Sequence, residues 1–292
     1  DILLVSFLNC CSFRFRDYMF VAAALGGAFF GDNLSFISDT TIAATRTQGC
    51  SMSAKFKANF RIVMPAALVT LIVYFIIGSE VDLRVAPTGS NTWMITPYLV
   101  VIVMALAGVN VLLVLLGGIV AAMILGVAVG PVTTIECCRI MGTGISAMGE
   151  LIVITLLAAG MLGMIKAMGG IDFLLQRITA SVHGRRGAQG CIALLVSLVN
   201  LCTANNTVAI ISVGSISRSI SERYGIAPMR TASLLDTCSC IVQCLIPYGA
   251  QTLLATGLAQ ISPAAPWPYL YYPWALAAAV TLAVLLPSAR RH

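Results

Sequence analysis

Four of the 11 acidic residues lie within, or at the edge of, long apolar segments of the sequence. They are Asp32, Asp39, Glu150 and Asp236. A carboxylate at bilayer depth costs at least about 2.5 kcal/mol, so it persists only where it is hydrated, paired or neutralised by a counter-ion. The hydropathy pattern places none of the 17 Lys and Arg residues deep in an apolar segment. A bound cation or a proton is therefore the expected counter-ion.

A short segment rich in side-chain oxygen contains the first two of these carboxylates. Asp32 and Asp39 are seven residues apart, which on an unbroken helix places both on one face. Hard cations such as Na⁺ prefer oxygen ligands, and unwound backbone at a helix break supplies further carbonyl oxygens. The predicted cation ligands in this segment are Asp32, Asn33, Ser35, Ser38, Asp39, Thr40 and Thr41. A polar turn that caps a surface helix is the alternative interpretation.

Further candidate ligands come later in the chain. A neutral polar group, Asn205, Asn206 and Thr207, interrupts an apolar segment, although such residues also form hydrogen bonds between membrane helices. Asp236 lies seven residues into another apolar segment, where the alternative is an acid that favours a helix N-terminus. Glu150 stands near the start of its segment and could cap or snorkel instead. We predict cation binding at residues 205–207 and at Asp236, and Na⁺ itself at Asp32, Asp39 and Asp236.

The 10 cysteines mostly lie inside apolar runs. Cys238, Cys240 and Cys244 have a spacing that could suggest a soft metal, but no His lies near them in the sequence. We interpret the cysteines as small apolar residues. The sequence also has no glycine pattern typical of a nucleotide-binding loop, so we expect no cofactor.

The elements that position the candidate ligands must be membrane helices. The chain of 292 residues is 59% hydrophobic and only 10% charged, with a mean hydropathy of +0.96. Soluble chains are typically about 45–50% apolar and about 25% charged. The composition predicts an all-α polytopic membrane protein, excludes a soluble, disordered or secreted class and disfavours a disulfide scaffold.

Two apolar segments that are interrupted by polar residues indicate an internal repeat. Each interruption ends in Thr and is followed by a polar stretch with basic residues and by a helix with a proline, Pro65 or Pro247. Paired interrupted segments are typical of transporters built from two related halves with discontinuous or re-entrant helices. We expect one transporter domain over residues 1–292, with half-repeats at about 18–130 and 148–287.

Several connections between the helices can also be predicted. Residues 46–61 and 215–228 are expected to be polar loops, because charged and hydroxyl residues are frequent there. Residues 98–130 form an apolar stretch too long for one helix, so two short helices are favoured over one tilted helix. Residues 245–249 contain Pro247 and are expected to break a helix.

The polar segments resemble the signatures of a known family. Gly31-Asp32-Asn33-Leu34-Ser35-Phe36-Ile37-Ser38-Asp39-Thr40-Thr41 closely resembles the Gly-Asp-Asn-x-Ser-Pro-x-Ser-Asp-Thr-Thr motif of NhaC-type sodium/proton antiporters. The stretch from Leu235-Asp236-Thr237 to Leu245-Ile246-Pro247-Tyr248 is similar to that family's second acidic helix. Phe36, Tyr248 and Gly249 stand where the family usually has Pro, Trp and Asn. The resemblance implies exchange of Na⁺ for H⁺, and a chain that corresponds to the C-terminal two-thirds of a transporter.

The sequence therefore predicts a secondary transporter and not an enzyme. Na⁺ and H⁺ would compete for shared carboxylates, because protonation of Asp39 or Asp236 removes the charge that holds Na⁺. One alternative is a Na⁺-coupled or exchange carrier of small organic acids. A remote one is an intramembrane aspartyl protease with Asp32 and Asp236 as its dyad. The expected partners are Na⁺, H⁺ and the lipid bilayer, with a homodimer left open and no nucleic acid, and the expected location is the bacterial inner membrane.

Overall fold

The computed structural model describes residues 2–35, 38–79, 95–107, 109, 111–128, 133–170, 173 and 184–285. These residues form α-helices joined by short turns, and no strand occurs among them. The α-helices are α1 (Ile2–Leu34), α2 (Asp39–Gln48), α3 (Met52–Ser79), α4 (Thr96–Leu106), α5 (Val111–Ala128), α6 (Thr134–Ala167), α7 (Gly184–Thr203), α8 (Asn206–Arg223), α9 (Pro228–Leu245), α10 (Ala250–Leu258) and α11 (Tyr271–Leu285).

Four stretches within the described residues are long and apolar enough to cross a membrane. They are Asp17–Gln48, Met52–Gly78, Gly184–Thr203 and Pro228–Leu258. Large apolar side chains such as Leu71 and Phe75 are exposed on α3, as expected where a helix faces lipid. The prediction of an all-α polytopic membrane protein is confirmed.

The chain divides into two compact units. One comprises Asp1–Val81 and Leu151–His292, and the other comprises Asp82–Glu150. In the second unit α4 packs against α5, and a Cβ atom at Gly118 would lie 2.5 Å from Cγ2 of Val101. The absence of a side chain at Gly118 therefore permits the close approach of the two helices. The prediction of two short helices in residues 98–130 is confirmed, whereas the predicted half-repeats stay a prediction.

Both predicted polar interruptions are helix breaks. α1 ends at Leu34 and α2 begins at Asp39, after Ser38 in an extended conformation; Phe36, the departure from the family motif, lies outside the described residues. The break separates Asp32 from Asp39, so the shared face that an unbroken helix would give these two residues does not occur. The second break falls at Ala204 and Asn205, where the Asn205 side chain caps α8 by accepting a hydrogen bond of 3.0 Å from the Val208 N–H.

The third interruption, at residues 246–249, separates α9 from α10 as expected. Trp267 Nε1 donates to the carbonyl of Leu245 at 2.7 Å, so an indole satisfies an acceptor that the helix end leaves free. Pro247 lies in this break, whereas Pro65 lies inside the continuous helix α3. The two prolines thus have different structural roles.

The two predicted polar loops are mostly helical. Residues 46–61 contain the end of α2, a turn at Gly49 with φ of 67°, and the first turns of α3. Residues 215–223 continue α8, whose exposed Arg218 and Glu222 form an i,i+4 pair at 2.9 Å while Ile220 is buried. Average hydropathy does not distinguish these helices from loops, because an amphipathic helix can contain as many polar residues as a loop.

Helix α9 lies at the centre of the first unit. It packs against α1, α2, α3, α7, α8 and α11. Its buried residues include polar side chains such as Asp236, Thr237, Ser239 and Gln243. A helix buried among so many neighbours must satisfy these groups within the protein, so its contacts define the candidate site.

Candidate cation site

A buried ion pair lies at the centre of the site. Lys55 Nζ is 2.5 Å from Asp236 Oδ2, and the two side chains are 1% and 0% exposed. Lys55 also donates to Thr41 Oγ1 at 2.6 Å and to the carbonyl of Asn33 at 3.4 Å. Asp236 therefore has a basic partner, although the sequence predicts a bound cation or a proton as its counter-ion. The turn at Gly49 joins α2 to α3, and both of these helices pack against α9, so Lys55 on α3 reaches Asp236 on α9.

Asn59, one turn after Lys55 on α3, links the first break to Asp236. Its Nδ2 donates to Asp236 Oδ2 at 2.7 Å and to the carbonyl of Asn33 at 2.8 Å. Asn33 in turn donates from Nδ2 to the carbonyl of Phe29 at 2.9 Å and to the Tyr272 hydroxyl oxygen at 3.2 Å. These bonds fix the end of α1 against α3, α9 and α11.

Three oxygen atoms of this group are buried without a hydrogen-bond partner in the described part of the chain. They are Asn33 Oδ1, Asn59 Oδ1 and Asp236 Oδ1. Leaving a buried acceptor unsatisfied costs about 1–3 kcal/mol, and more for a charged one. All three atoms are acceptors, so either a bound cation or a hydrogen-bond donor such as a buried water would satisfy them.

Asp32 forms a second carboxylate centre beside the ion pair. Its Oδ1 accepts a hydrogen bond from the Ser38 hydroxyl and a longer one, 3.4 Å, from Thr40 Oγ1. The Ser38 and Thr40 hydroxyl oxygens are 2.7 Å apart, and the Asp32 side chain is half-buried. Asp32 Oδ2 accepts from the thiol of Cys240 at 3.4 Å. Asp32 is near enough to Asp236 for the two carboxylates to repel each other.

The structure brings most, but not all, of the predicted ligands into one network. Thr41 Oγ1 donates to the Ser35 carbonyl at 2.9 Å, and Asn206 Nδ2 donates to Cys240 Sγ at 3.6 Å. The connected residues are Asp32, Asn33, Ser35, Ser38, Thr40, Thr41, Asn206 and Asp236. The Ser35 N–H donates to the Asp32 carbonyl at 3.3 Å and so joins the group around Asp32 to the group around Asp236. Asp39 is exposed in the first turn of α2, Asn205 is exposed as the cap of α8, and Thr207 is half-buried beside it. Glu150 belongs to α6, in the other unit.

Three residues of the network were missed by the sequence analysis: Lys55, Asn59 and Cys240. Helical spacing could have found the first two. Lys55, Asn59, Ile62, Ala66 and Thr70 recur every three or four residues on α3, and all are buried. Lys57 and Arg61 fall outside this spacing and are exposed. The periodicity thus separates a buried lysine from exposed basic neighbours.

The charges of the network favour a hard monovalent cation as ligand. Two carboxylates and one ammonium group leave one excess negative charge when all three are ionised. Among the described residues no cluster of three or more His, Cys, Asp or Glu side chains has the arrangement of a metal site. Cys240, which belongs to the possible soft-metal spacing, instead contacts Asp32 and Asn206. Oxygen atoms from Asp, Asn, Ser and Thr therefore dominate the site, and oxygen donors suit Na⁺.

Comparison with known proteins identifies the family. The model of the Na⁺/H⁺ antiporter family matches residues 80–288, most of the chain. The chain belongs to this family. The matched residues include Asn206, Asp236 and Cys240, while Asp32 and Lys55 precede them. The family consists of transporters, and the expected resemblance to NhaC-type antiporters is confirmed.

Two bacterial relatives support the assignment. The Na(+)/H(+) antiporter NhaC of Bacillus subtilis (strain 168) is 22% identical, over 78% of this chain and 57% of the relative. The Na(+)/H(+) antiporter NhaC of Alkalihalophilus pseudofirmus is 26% identical, over 78% of this chain and 56% of the relative. The chain thus spans somewhat more than half the length of the curated relatives it matches. No solved structure matches it. The apolar helices and these relatives support the expected location, an integral protein of the bacterial inner membrane.

Proposed function

We propose that the chain exchanges Na⁺ for H⁺ across the membrane and that both ions compete for the carboxylates of Asp32 and Asp236. The observation that carries this proposal is the buried Lys55–Asp236 ion pair with a second carboxylate beside it. Membership of the Na⁺/H⁺ antiporter family and the names of the two relatives support the identity of the ions.

The excess negative charge explains why one ion excludes the other. Asp32 is half-buried and has no basic partner among the described residues, so one additional cation would stabilise the cluster. Na⁺ can supply it at Asp32 together with the unpartnered oxygens Asn33 Oδ1 and Asp236 Oδ1. A proton on either carboxylate supplies it equally well. Protonation removes the charge that holds Na⁺, so the two ions bind alternately and exchange needs no ATP.

Lys55 acts in this proposal as an internal counter-ion. It lies against Asp236 while Na⁺ is absent and offsets part of the cost of burying the charge of that carboxylate. When Na⁺ binds between the carboxylates of Asp32 and Asp236, the Asp236 carboxylate contacts both Na⁺ and the Lys55 ammonium group. Because Lys55 lies on α3 and Asp32 precedes the first break, occupancy by either ion also changes the contacts between α1, α2 and α3.

The other predicted ligands lie beside this buried cluster. Asp39, Asn205 and Thr207 adjoin the two breaks, at the first residues of α2 and α8. Ligands in such exposed or half-exposed positions would meet the ion on its way to the cluster. We propose that they belong to the path of the ion and not to its most buried position.

A Na⁺-coupled carrier of small organic acids is the second candidate. Lys55 favours it, because a buried ammonium group can bind an organic carboxylate. In the present arrangement, however, Lys55 already donates to Asp236, Thr41 and Asn33, so an anion would have to displace one of them. The protease alternative has less support still, since Asp236 Oδ2 faces Lys55 and Asn59 instead of a second carboxylate.

The proposed exchange can be tested with the intact protein in proteoliposomes that carry an imposed pH gradient. Addition of Na⁺ should dissipate the gradient. The variants Asp32→Asn and Asp236→Asn should lose this exchange, because an amide keeps the shape of the side chain but cannot trade a proton for Na⁺. Asp39→Asn should retain part of it, since Asp39 is exposed.

Glu222→Gln is the matched control, because this acid is exposed on α8 and pairs only with Arg218 among the described residues. It should exchange as the parent protein does. Full exchange by Asp236→Asn would show that the second half supplies scaffold only. Transport of an organic acid with Na⁺, in place of Na⁺/H⁺ exchange, would favour the second candidate.

A further inference from the structure

Cys240 connects the first and second helix breaks through its thiol. It lies one turn after Asp236 on α9 and is 1% exposed. Its Sγ donates to Asp32 Oδ2, just before the first break, and accepts from Asn206 Nδ2, just after the second. The two distances are 3.4 and 3.6 Å. A residue that was expected to be merely apolar therefore contacts one of the two carboxylates directly.

A second observation on the other side of the sulfur also points to a cation. Asn206 is 5% exposed, and its Oδ1 has no hydrogen-bond partner in the part of the chain that the structure describes. Its amide is oriented so that the nitrogen, and not the oxygen, contacts the thiol. The terminal torsion of Asn is roughly two-fold, so a rotation of the amide by about 180° brings the oxygen to the position that the nitrogen now occupies.

We propose that Cys240 is a positioning residue that holds Asp32 while no Na⁺ is bound, and that Na⁺ displaces the thiol from the carboxylate when it binds. The inference rests on the proposed Na⁺/H⁺ exchange at Asp32. A thiol is a weak donor, so it stabilises the ionised carboxylate only modestly and gives way to a cation. The same step releases Asn206, whose free oxygen can then turn towards the ion. Cys240 thus couples occupancy of the first break to the second.

Direct measurement of Na⁺ binding by titration calorimetry tests this role. In Cys240→Ala the competing donor is absent, so the half-saturating Na⁺ concentration should fall about threefold to tenfold, the range expected for one weak hydrogen bond. In Cys240→Ser the hydroxyl is a stronger donor, so the half-saturating concentration should equal or exceed that of the parent protein.

Cys244→Ala is the matched control. Cys244 is buried to the same extent on the same helix, and its thiol makes no hydrogen bond to a described residue. This variant loses the same volume, so a purely structural effect should appear in it as well.

Equal Na⁺ affinity in Cys240→Ala and Cys244→Ala, or weaker binding by Cys240→Ala than by the parent protein, would overturn the proposal. Should Cys240→Ala fail to fold, Cys240→Ser decides: tighter Na⁺ binding than in the parent protein would contradict the proposed competition. Parent protein that binds Na⁺ but shows no exchange in proteoliposomes would refute the proposed transport function and leave the role of Cys240 in Na⁺ binding intact.

Discussion

Lys55 is the residue on which the electrostatics of the buried cluster depend. Its ammonium group contacts Asp236, Thr41 and the backbone of Asn33, and so joins three other helices to α3. A buried ion pair is not by itself a source of stability, because both charges lose their hydration. Removing one partner, however, leaves the other charge buried and uncompensated. The free energy of unfolding should therefore depend on the presence of a cation beside Asp236, either the Lys55 ammonium group or Na⁺.

The variant Lys55→Ala tests this dependence. Loss of the ammonium group should destabilise the protein by about 3–5 kcal/mol in Na⁺-free buffer, the usual cost of breaking a buried pair. Na⁺ should restore part of the loss, because it takes the place of the missing charge and stabilises only the folded state. The measurement is the thermal unfolding of the detergent-solubilised protein in choline chloride and in NaCl.

Lys57→Ala is the control for Lys55→Ala, because Lys57 is exposed on the same helix. It should unfold at the temperature of the parent protein in both salts. The internal counter-ion role would be wrong if Na⁺ raised the unfolding temperature of Lys55→Ala no more than it raises that of Lys57→Ala.

At the scale of elements, the helices that follow the first and second breaks, α2 and α8, pack tightly against each other. Gln48 Nε2 on α2 donates to the carbonyl of Gly214 on α8 at 2.9 Å. A Cβ atom at Gly214 would lie 2.6 Å from Cγ2 of Thr47. The contact therefore requires a residue without a side chain at position 214. Because α2 and α8 carry Thr41 and Asn206, their packing also sets the distance between the two breaks.

The variant Gly214→Val should force α2 and α8 apart. Overpacking of this kind costs about 1–3 kcal/mol, more than valine gains over glycine in helix propensity. Thermal unfolding should show the loss. Gly190→Val on α7 serves as the comparison, since a Cβ added at Gly190 would meet no neighbouring atom within 4 Å. Equal stability of the two variants would mean that the contact between α2 and α8 is not tight.

The positions of the breaks could be predicted from the sequence, but the helical character of the stretches between them could not. Polar residues inside apolar runs mark a break, because unpaired backbone in a membrane needs polar surroundings. Residues 46–61 and 215–223 contain both polar and apolar residues, so their average hydropathy is compatible with an amphipathic helix and with a loop. Only helical spacing distinguishes buried Lys55 from exposed Lys57.

At the scale of the whole molecule, composition was sufficient to predict the class of the protein. An apolar fraction of 59% requires lipid as solvent for much of the surface. The sequence also indicates part of the buried network: Asp32, Asn33 and Asp236 were expected to lie together and do, while their role as cation ligands stays a prediction. The pairing of Asp236 with Lys55 joins residues 181 positions apart, and no local pattern specifies such a contact.

Competition between Na⁺ and H⁺ for one buried cluster is the central claim about this protein. It is tested most directly by the Na⁺ affinity of the intact protein, measured by titration calorimetry between pH 6 and pH 9. We predict that on the acid side of this range the half-saturating Na⁺ concentration rises about tenfold for each unit by which the pH falls, because one proton must leave before Na⁺ binds. A Na⁺ affinity that is independent of pH over the whole range would contradict the shared site.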